Sequence, residues 1–319
     1  MPDASHGAAR MELQSGMFRG ISARPRQPGL HEKTHQMNTP LPQETDEEAG
    51  PDTENVESTS SQRVGPFAKL LSVLDLFSAE RTSVNIDEAI AFLGVGKSTG
   101  YKHLKDMCDS GLLVQRGKGE YALGPRIIEL ERLLQVSDPF LIAGKAAMVV
   151  AEELCENRAL MLCTLYQNRV LCVHSVGPES IRYGKEYMRI YRARGTALPL
   201  FKGAGSHAIL AHLLPHQIRS LYLSNASEIA MAGLGSEWKD FRSALARVRK
   251  AGFATSVGQI NPNMLSISVP VFFDERVHGS LLLLTTNSSE EKAMVDQLAG
   301  QLTRIAGRIE QLMAEGSLV

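Results

Sequence analysis

The sequence predicts an α+β protein in which a small helical unit closed by a β-hairpin is joined through a linker helix to a larger mixed domain. Three observations point there. The length of 319 residues exceeds one typical domain and suits two domains plus an accessory segment. The apolar pattern has helical spacing over residues 67–134 and changes to short β-rich runs from Ala159. The first 64 residues have a composition unlike the rest.

Residues 1–64 hold six of the 14 prolines, a single aromatic (Phe18) and only seven Leu, Ile, Val or Phe. That is too little apolar surface to offset the entropy of ordering, so they read as a disordered tail. The tail carries six Lys/Arg against ten Asp/Glu, with an acidic cluster between Glu44 and Glu57.

Order is expected from Gly65. Phe67, Leu70, Leu71, Leu74 and Phe77 mark one face of a first helix. Asn85, with Glu88 three residues later, forms a capping-box-like start to a second, whose stripe is Ile86, Ala89, Ile90 and Leu93. Gly94-Val95-Gly96 ends it, and a third helix starts at Lys97, turning Leu104, Met107 and Cys108 inward until Gly111. Leu112 to Val114 and Tyr121 to Leu123 flank a turn at Arg116 to Gly119 and read as a hairpin. The composite over 65–125 is a winged helix-turn-helix.

Ile127, Ile128, Leu130, Leu133 and Leu134 continue as a linker helix over 126–138, and Pro139 opens the next helix. In 139–319, strands are expected at Ala159 to Tyr166, Val170 to Val176, Phe253 to Ile260, Leu265 to Phe273 and Ser280 to Thr286. Helices are expected at Ala204 to Leu214, Trp238 to Arg249 and Glu290 to Met313, giving a mixed domain around one sheet.

Charge and composition narrow the function. With 34 Lys+Arg against 35 Asp+Glu, no global charge draws the chain to nucleic acid or membrane, so any such attraction is local. Cys108, Cys155, Cys163 and Cys172 form no CxxC pair, which argues against a zinc site or a secreted disulfide framework. No run of 18 apolar residues and no signal-peptide core occurs, so a cytoplasmic protein without a membrane partner is expected. His207, His212 and His216 do not share a helical face, so they read as surface or helix-end residues rather than metal ligands. No catalytic constellation, metal site or cofactor motif stands out, and no enzyme activity is expected.

The local charge is informative. Residues 97–118 carry Lys97, Lys102, Lys105, Arg116 and Lys118 against Asp106 and Asp109, a local +3 within a unit that is neutral overall. A helix in the major groove needs such a face, because phosphates set affinity and base edges set sequence preference. Lys97, Ser98, Thr99 and Lys102 fall on its exposed N-terminal part, Tyr101 can reach a phosphate, and Arg116 and Lys118 form the wing tip. The alternative is a helical bundle with a solvated lysine face. Ala91 to Ser98 also approaches the P-loop pattern GxxxxGK[ST], but Ala91 replaces the first Gly and a helix, not a strand, precedes it. Pro270 likewise argues against a buried central strand that could supply the acidic partner of a nucleotide site.

A ligand pocket is expected in the second domain. Pro199 to Ser206 opens a helix with small residues, and Ser256, Gly258, Ser266 and Ser268 place small polar groups in apolar strands. Such a site would take a small acid, unless these hydroxyls are satisfied within the sheet. A DNA-independent small-molecule sensor is the remaining alternative.

Taken in order, these motifs resemble the IclR family of bacterial transcription regulators over about residues 65–315. The resemblance lies in Lys97-Ser98-Thr99-Gly100-Tyr101-Lys102 with Leu104, in Tyr121-Ala122-Leu123-Gly124-Pro125, and in Arg194-Gly195 followed by Pro199-Leu200-Phe201 and Ala208 to Leu213. Arg249 to Phe253 and Ser268 to Val271 add to it. It implies a homodimer or tetramer on double-stranded operator DNA, with a GAF-like α/β effector-binding domain contacting a small molecule at Gly203, Ala204, Ser256 and Ser266. The family often has Asp at Ser256, Glu at Gln259 and Gly at Asn263 or Met264. The less acidic pocket here favours an anionic effector. Gly100 stands where a β-branched residue is usual, and His103 replaces an anchoring leucine.

Overall fold

The computed structural model describes residues 65–190 and 193–316. The expected tail of residues 1–64, with its acidic cluster, lies outside the described residues. Helix α1 (Pro66–Leu71) passes at once into a 3-10 stretch, Ser72–Leu76. Leu70, Leu74 and Phe77 pack on the core of this unit as expected. Phe67, at 72% exposure, does not, because the tighter turn rotates the stripe away from it.

Strand β1 (Val84–Asn85) was not expected. Its Asn85 both pairs across the small sheet and caps α2 (Ile86–Leu93), with Oδ1 accepting from the Asp87 N–H at 3.0 Å. The reciprocal bond expected from Glu88 is replaced by an ion pair with Arg81. The stripe Ile86, Ala89, Ile90 and Leu93 is buried, and Gly94 closes the helix in the left-handed region at φ 58°.

In α3 (Lys97–Asp109), Leu104 and Met107 are buried and Cys108 is half-buried. Gly100 is buried as well: a Cβ there would lie 2.4 Å from Ile90 Cγ1, so the two helices approach over a position only glycine can occupy. That contact explains a residue whose helix propensity alone costs roughly 1 kcal/mol relative to Ala. Strands β2 (Leu113–Gly117) and β3 (Glu120–Leu123) turn at Lys118–Gly119, and the sheet order is β1-β3-β2.

Helix α4 (Pro125–Ser137) has no fully buried residue. It stops where Asp138 caps α5 (Pro139–Val149), accepting from the Phe140 N–H at 3.0 Å. The chain then builds β4 (Ala159–Tyr166), β5 (Arg169–Val176), the ribbon β6 (Ser180–Tyr183) and β7 (Glu186–Arg189), β8 (Ala197–Pro199) and α6 (Ala204–Leu210). Next come α7 (Pro215–Met231), α8 (Trp238–Ala251), β9 (Ala254–Val257), β10 (Met264–Phe273), β11 (Arg276–Thr286), α9 (Ser289–Ala293) and α10 (Val295–Gly316).

Among the described residues the main sheet has the order β8-β5-β4-β11-β10-β9, antiparallel throughout. Alternation divides its side chains. Leu160, Leu162, Leu281 and Leu283 face α5 and α10, whereas Met161, Cys163 and Leu282 face α6 and α8. Each fully buried aliphatic side chain contributes roughly 1.5–3 kcal/mol, so the two faces together hold the domain.

Strand β10 runs through Pro270, as the expected strand from Leu265 to Phe273 requires, although Pro270 also argued against a strand paired on both sides there. Proline fits because β9 pairs only with Leu265 to Ser268, and on the β11 side Pro270 still registers with Ser280. The ribbon and α7 were also unforeseen. Helix α7 buries only Ile218 and Ile229 and bends at Asn225, so it lacks a clear apolar period. The single C-terminal helix expected from Glu290 divides at Met294 into α9 and α10.

Candidate ligand cavity and nucleic-acid interface

On α3, Lys97, Ser98, Thr99, Tyr101, Lys102 and Lys105 are all exposed, Tyr101 at 52%, while Gly100, Leu104 and Met107 turn toward the core. His103 is half-buried at the boundary between the two faces. Lys97 Nζ lies 3.8 Å from Asp87 Oδ1, a solvated contact with little hold on the side chain. Arg116 and Lys118 are exposed at the hairpin tip. A strand does not precede Gly94-Val95-Gly96-Lys97; helix α2 does, and Lys97 projects into solvent rather than over a backbone cradle. The P-loop alternative therefore lacks its geometry.

A cavity of about 300 Å³ lies between α6, the β9–β10 connection and the β8 edge. Gly203, Ala204, Ser256 and Ser266, the four expected contacts, all line it. Its wall is apolar at Met161, Ile190, Leu198, Ile260, Met264 and Leu284. Arg189 and Lys202 bring positive charge to the rim, and none of the described lining residues is Asp or Glu.

The polar groups are tied to one another. Gln259 Oε1 accepts from the Gly203 N–H at 2.8 Å and from Ser256 Oγ at 2.9 Å. Ser266 Oγ donates to the Ser256 carbonyl at 3.4 Å, Ser206 Oγ to the Pro199 carbonyl at 2.6 Å, and Ser268 Oγ to the Leu281 carbonyl at 3.0 Å. The expected donors are thus assembled, and each hydroxyl is also satisfied within the protein.

Arg189 was not among the expected contacts; Gln259 entered the expected pocket only as a position where the family often has Glu, and Lys202 only as part of the Pro199 to Ser206 stretch. Arg189 was missed with the ribbon that carries it, although Ser180 to Arg189 has short β-prone runs around Gly184 that could have revealed it. Gln259 carried no local signal beyond its place three residues after Ser256.

His207 corrects an expectation, because it is buried in α6 at 6% exposure rather than at a surface or helix end. Its Nε2 lies 3.0 Å from the Phe201 carbonyl oxygen, and burial pushes its pKa below the ordinary histidine value. His212 is half-buried near the helix end, likewise lowered by burial, and His216 is exposed. Among the described residues, no group of three or more His, Cys, Asp or Glu is placed to hold a metal. No helix there is long and apolar enough to cross a membrane.

The cavity is connected to α4. Arg194, two residues before Thr196 of the lining, pairs with Glu131 at 2.5 Å and donates to the Val173 carbonyl. The Arg194 guanidinium holds the Glu131 carboxyl below the usual glutamate range.

A family model described as bacterial transcriptional regulator IclR C-terminal matches residues 143–311, which include α6, the cavity and the whole main sheet. The chain is 25% identical to the HTH-type transcriptional regulator KipR of Bacillus subtilis over 211 residues, 65% of this chain and 80% of that one. It shares its fold with an IclR family transcriptional regulator from Brucella abortus, with a TM-score of 0.60, 20% identity, and coverage of 81% of this chain and 95% of that one. An IclR homologue from Microbacterium hydrocarbonoxydans complexed with 4-hydroxybenzoate matches with a TM-score of 0.56, 21% identity, and coverage of 79% and 100%.

Proposed function

The chain belongs to the IclR family of bacterial transcriptional regulators, and from that premise we propose that it is a cytoplasmic, non-enzymatic repressor or activator whose DNA affinity is set by a small organic acid. Residues 65–125 act as a winged helix-turn-helix. Lys97, Ser98, Thr99, Tyr101, Lys102 and Lys105 face the major groove and its phosphates, and Arg116 and Lys118 contact the adjoining backbone. Residues 126–138 link this unit to a GAF-like effector-binding domain over 139–319. The functional form is a homodimer or tetramer on a pseudo-palindromic operator, since two half-sites need two copies of α3.

The observation that carries the reading is the sorting of α3, with every basic and hydroxyl side chain of its first two turns outside and its apolar residues inside. The organic-acid class follows from an apolar cavity whose charged lining is Arg189 and Lys202, with Gly203, Ala204, Ser256 and Ser266 supplying donors. A homologue complexed with 4-hydroxybenzoate supports the same class.

Footprinting of genomic duplex bound by the full chain, repeated with and without 4-hydroxybenzoate and related acids, tests the proposal. Protection of a pseudo-palindrome that shifts with an acid is expected. Absence of salt-dependent duplex binding would instead favour a sensor that acts without DNA.

A further inference from the structure

We propose that Gln259 is a built-in competitor for the effector. Its side-chain oxygen occupies the position that an oxygen of an acidic ligand must take, so binding proceeds by displacement. The inference rests on reading the cavity as the effector site.

Two donors converge on one point in the cavity wall, the Gly203 N–H at 2.8 Å and the Ser256 hydroxyl at 2.9 Å, and the atom at that point is Gln259 Oε1. The orientation of the amide follows from chemistry, because a backbone N–H can only donate and so demands the oxygen rather than the nitrogen. An oxygen accepting two hydrogen bonds reproduces what one carboxylate oxygen would do there. Neither donor has another acceptor among the described residues. A ligand acid can therefore use them only when Gln259 leaves.

Gln259 is able to leave. It is exposed and lies in the 258–263 connection between β9 and β10, not in a ladder, and the connection is entered through Gly258 at φ 69°. The neighbouring Ile260 is also exposed, and a Cβ on Gly203 would lie 3.1 Å from Ile260 Cδ1, so the same connection roofs the donors. Displacing Gln259 shifts a surface segment and leaves both apolar cores intact.

Competition also confers selectivity. A carboxylate makes stronger, charge-assisted hydrogen bonds than an amide oxygen, so it can win the position. A neutral amide of the same shape gains nothing over the resident side chain.

The test is calorimetric titration of the full chain with benzoate, 4-hydroxybenzoate, butyrate and the neutral 4-hydroxybenzamide. Gln259→Ala and Gln259→Met, both lacking the oxygen and the second retaining the bulk, are expected to bind the acids about tenfold more tightly than the unaltered chain. Gln259→Glu, whose own carboxylate takes the donors, is expected to bind them at least tenfold more weakly. Weaker binding in all three variants would make Gln259 an ordinary ligand contact and overturn the proposal while leaving the cavity reading intact, as would affinities equal to the unaltered chain. If neither the unaltered chain nor Gln259→Ala binds any of the acids, both the competitor and the cavity reading fall.

Discussion

Arg194 and Glu131 join the helix that follows the hairpin to the wall of the cavity. Nε of Arg194 lies 2.5 Å from Glu131 Oε1 and Nη2 lies 3.2 Å from Oε2, while the third arm donates to the Val173 carbonyl. Glu131 also accepts from Gln135 at 2.9 Å, and Gln135 in turn accepts from Lys145 at 2.5 Å, so α4 is held to α5 and to the segment leading into Thr196 and β8. The pair is partly solvated and worth under about 1 kcal/mol by itself; its consequence is positional.

That geometry predicts uncoupling. An effector that moves the β8 edge moves Arg194 and, through Glu131, helix α4 and the 65–125 unit before it. In Glu131→Gln and Arg194→Ala, duplex affinity without ligand should stay within about threefold of the unaltered chain, and the ratio of affinities with and without ligand should fall toward one. Fluorescence anisotropy of a labelled operator measures both quantities, and an unchanged ratio would place the coupling elsewhere.

Close packing at Gly100 predicts intolerance of any side chain. Gly100→Ala puts a methyl 2.4 Å from Ile90 Cγ1 and should destabilise the 65–125 unit by about 1–3 kcal/mol despite the better helix propensity of alanine. Pairing it with Ile90→Ala should recover part of the loss, because the same substitution opens the space. Denaturant unfolding of the four chains in this cycle gives the coupling directly.

His207 predicts acid sensitivity near neutrality. Burial lowers its folded-state pKa below the value in the unfolded chain, where it is about 6.5. The unfolded state therefore binds the proton first. The stability that His207 contributes as a neutral side chain is full above about pH 6.5 and declines as pH falls toward the lowered value. His212 shifts in the same direction. The melting temperature should fall between pH 7.5 and pH 5.5, and a neutral replacement, His207→Gln, should show a smaller fall over that interval even if it starts lower.

On the exposed face of α3, Lys102 forms no ion pair with any described residue, whereas Lys97 lies near Asp87. If Lys102 contacts a phosphate, Lys102→Ala should weaken duplex binding across sequences and reduce the slope of log affinity against log salt by about 1. Asp87→Asn, which removes the carboxylate competing for Lys97, should strengthen binding at low salt. Titrations at several salt concentrations check both, and an unaltered slope would remove Lys102 from the contacts.

Much of this molecule could be read from residue order. The stripe Ile86, Ala89, Ile90 and Leu93, the Asn85 cap and the glycine stop at Gly94 defined α2 without a structure, because caps and amphipathic periods act within one helix. The same locality exposed β4 and β5, whereas the grouping of Gly203, Ala204, Ser256 and Ser266 as contacts came from the resemblance to the family. Elements whose stability comes from distant partners were hidden. Strand β1 is two residues long and exists because β3 pairs with it; the β6–β7 ribbon is pinned by Asn157, whose side chain bonds both the N–H and the C=O of Arg182; and α7 lacks a clean stripe.

By itself the sequence determined which faces are apolar, where helices begin and end, and which side of α3 carries its lysines, since each depends on neighbours within a few residues. Tertiary structure alone decided that Gly100 must be bare, that Pro270 lies where β10 has lost its β9 partner, that Gln259 reaches the Gly203 N–H, and that Arg194 reaches Glu131. The contacts of Gly100 with Ile90, of Gln259 with Gly203 and of Arg194 with Glu131 join residues 10, 56 and 63 apart along the chain, and such distances are set when the sheet and its helices pack, not by the order of residues along any one of them.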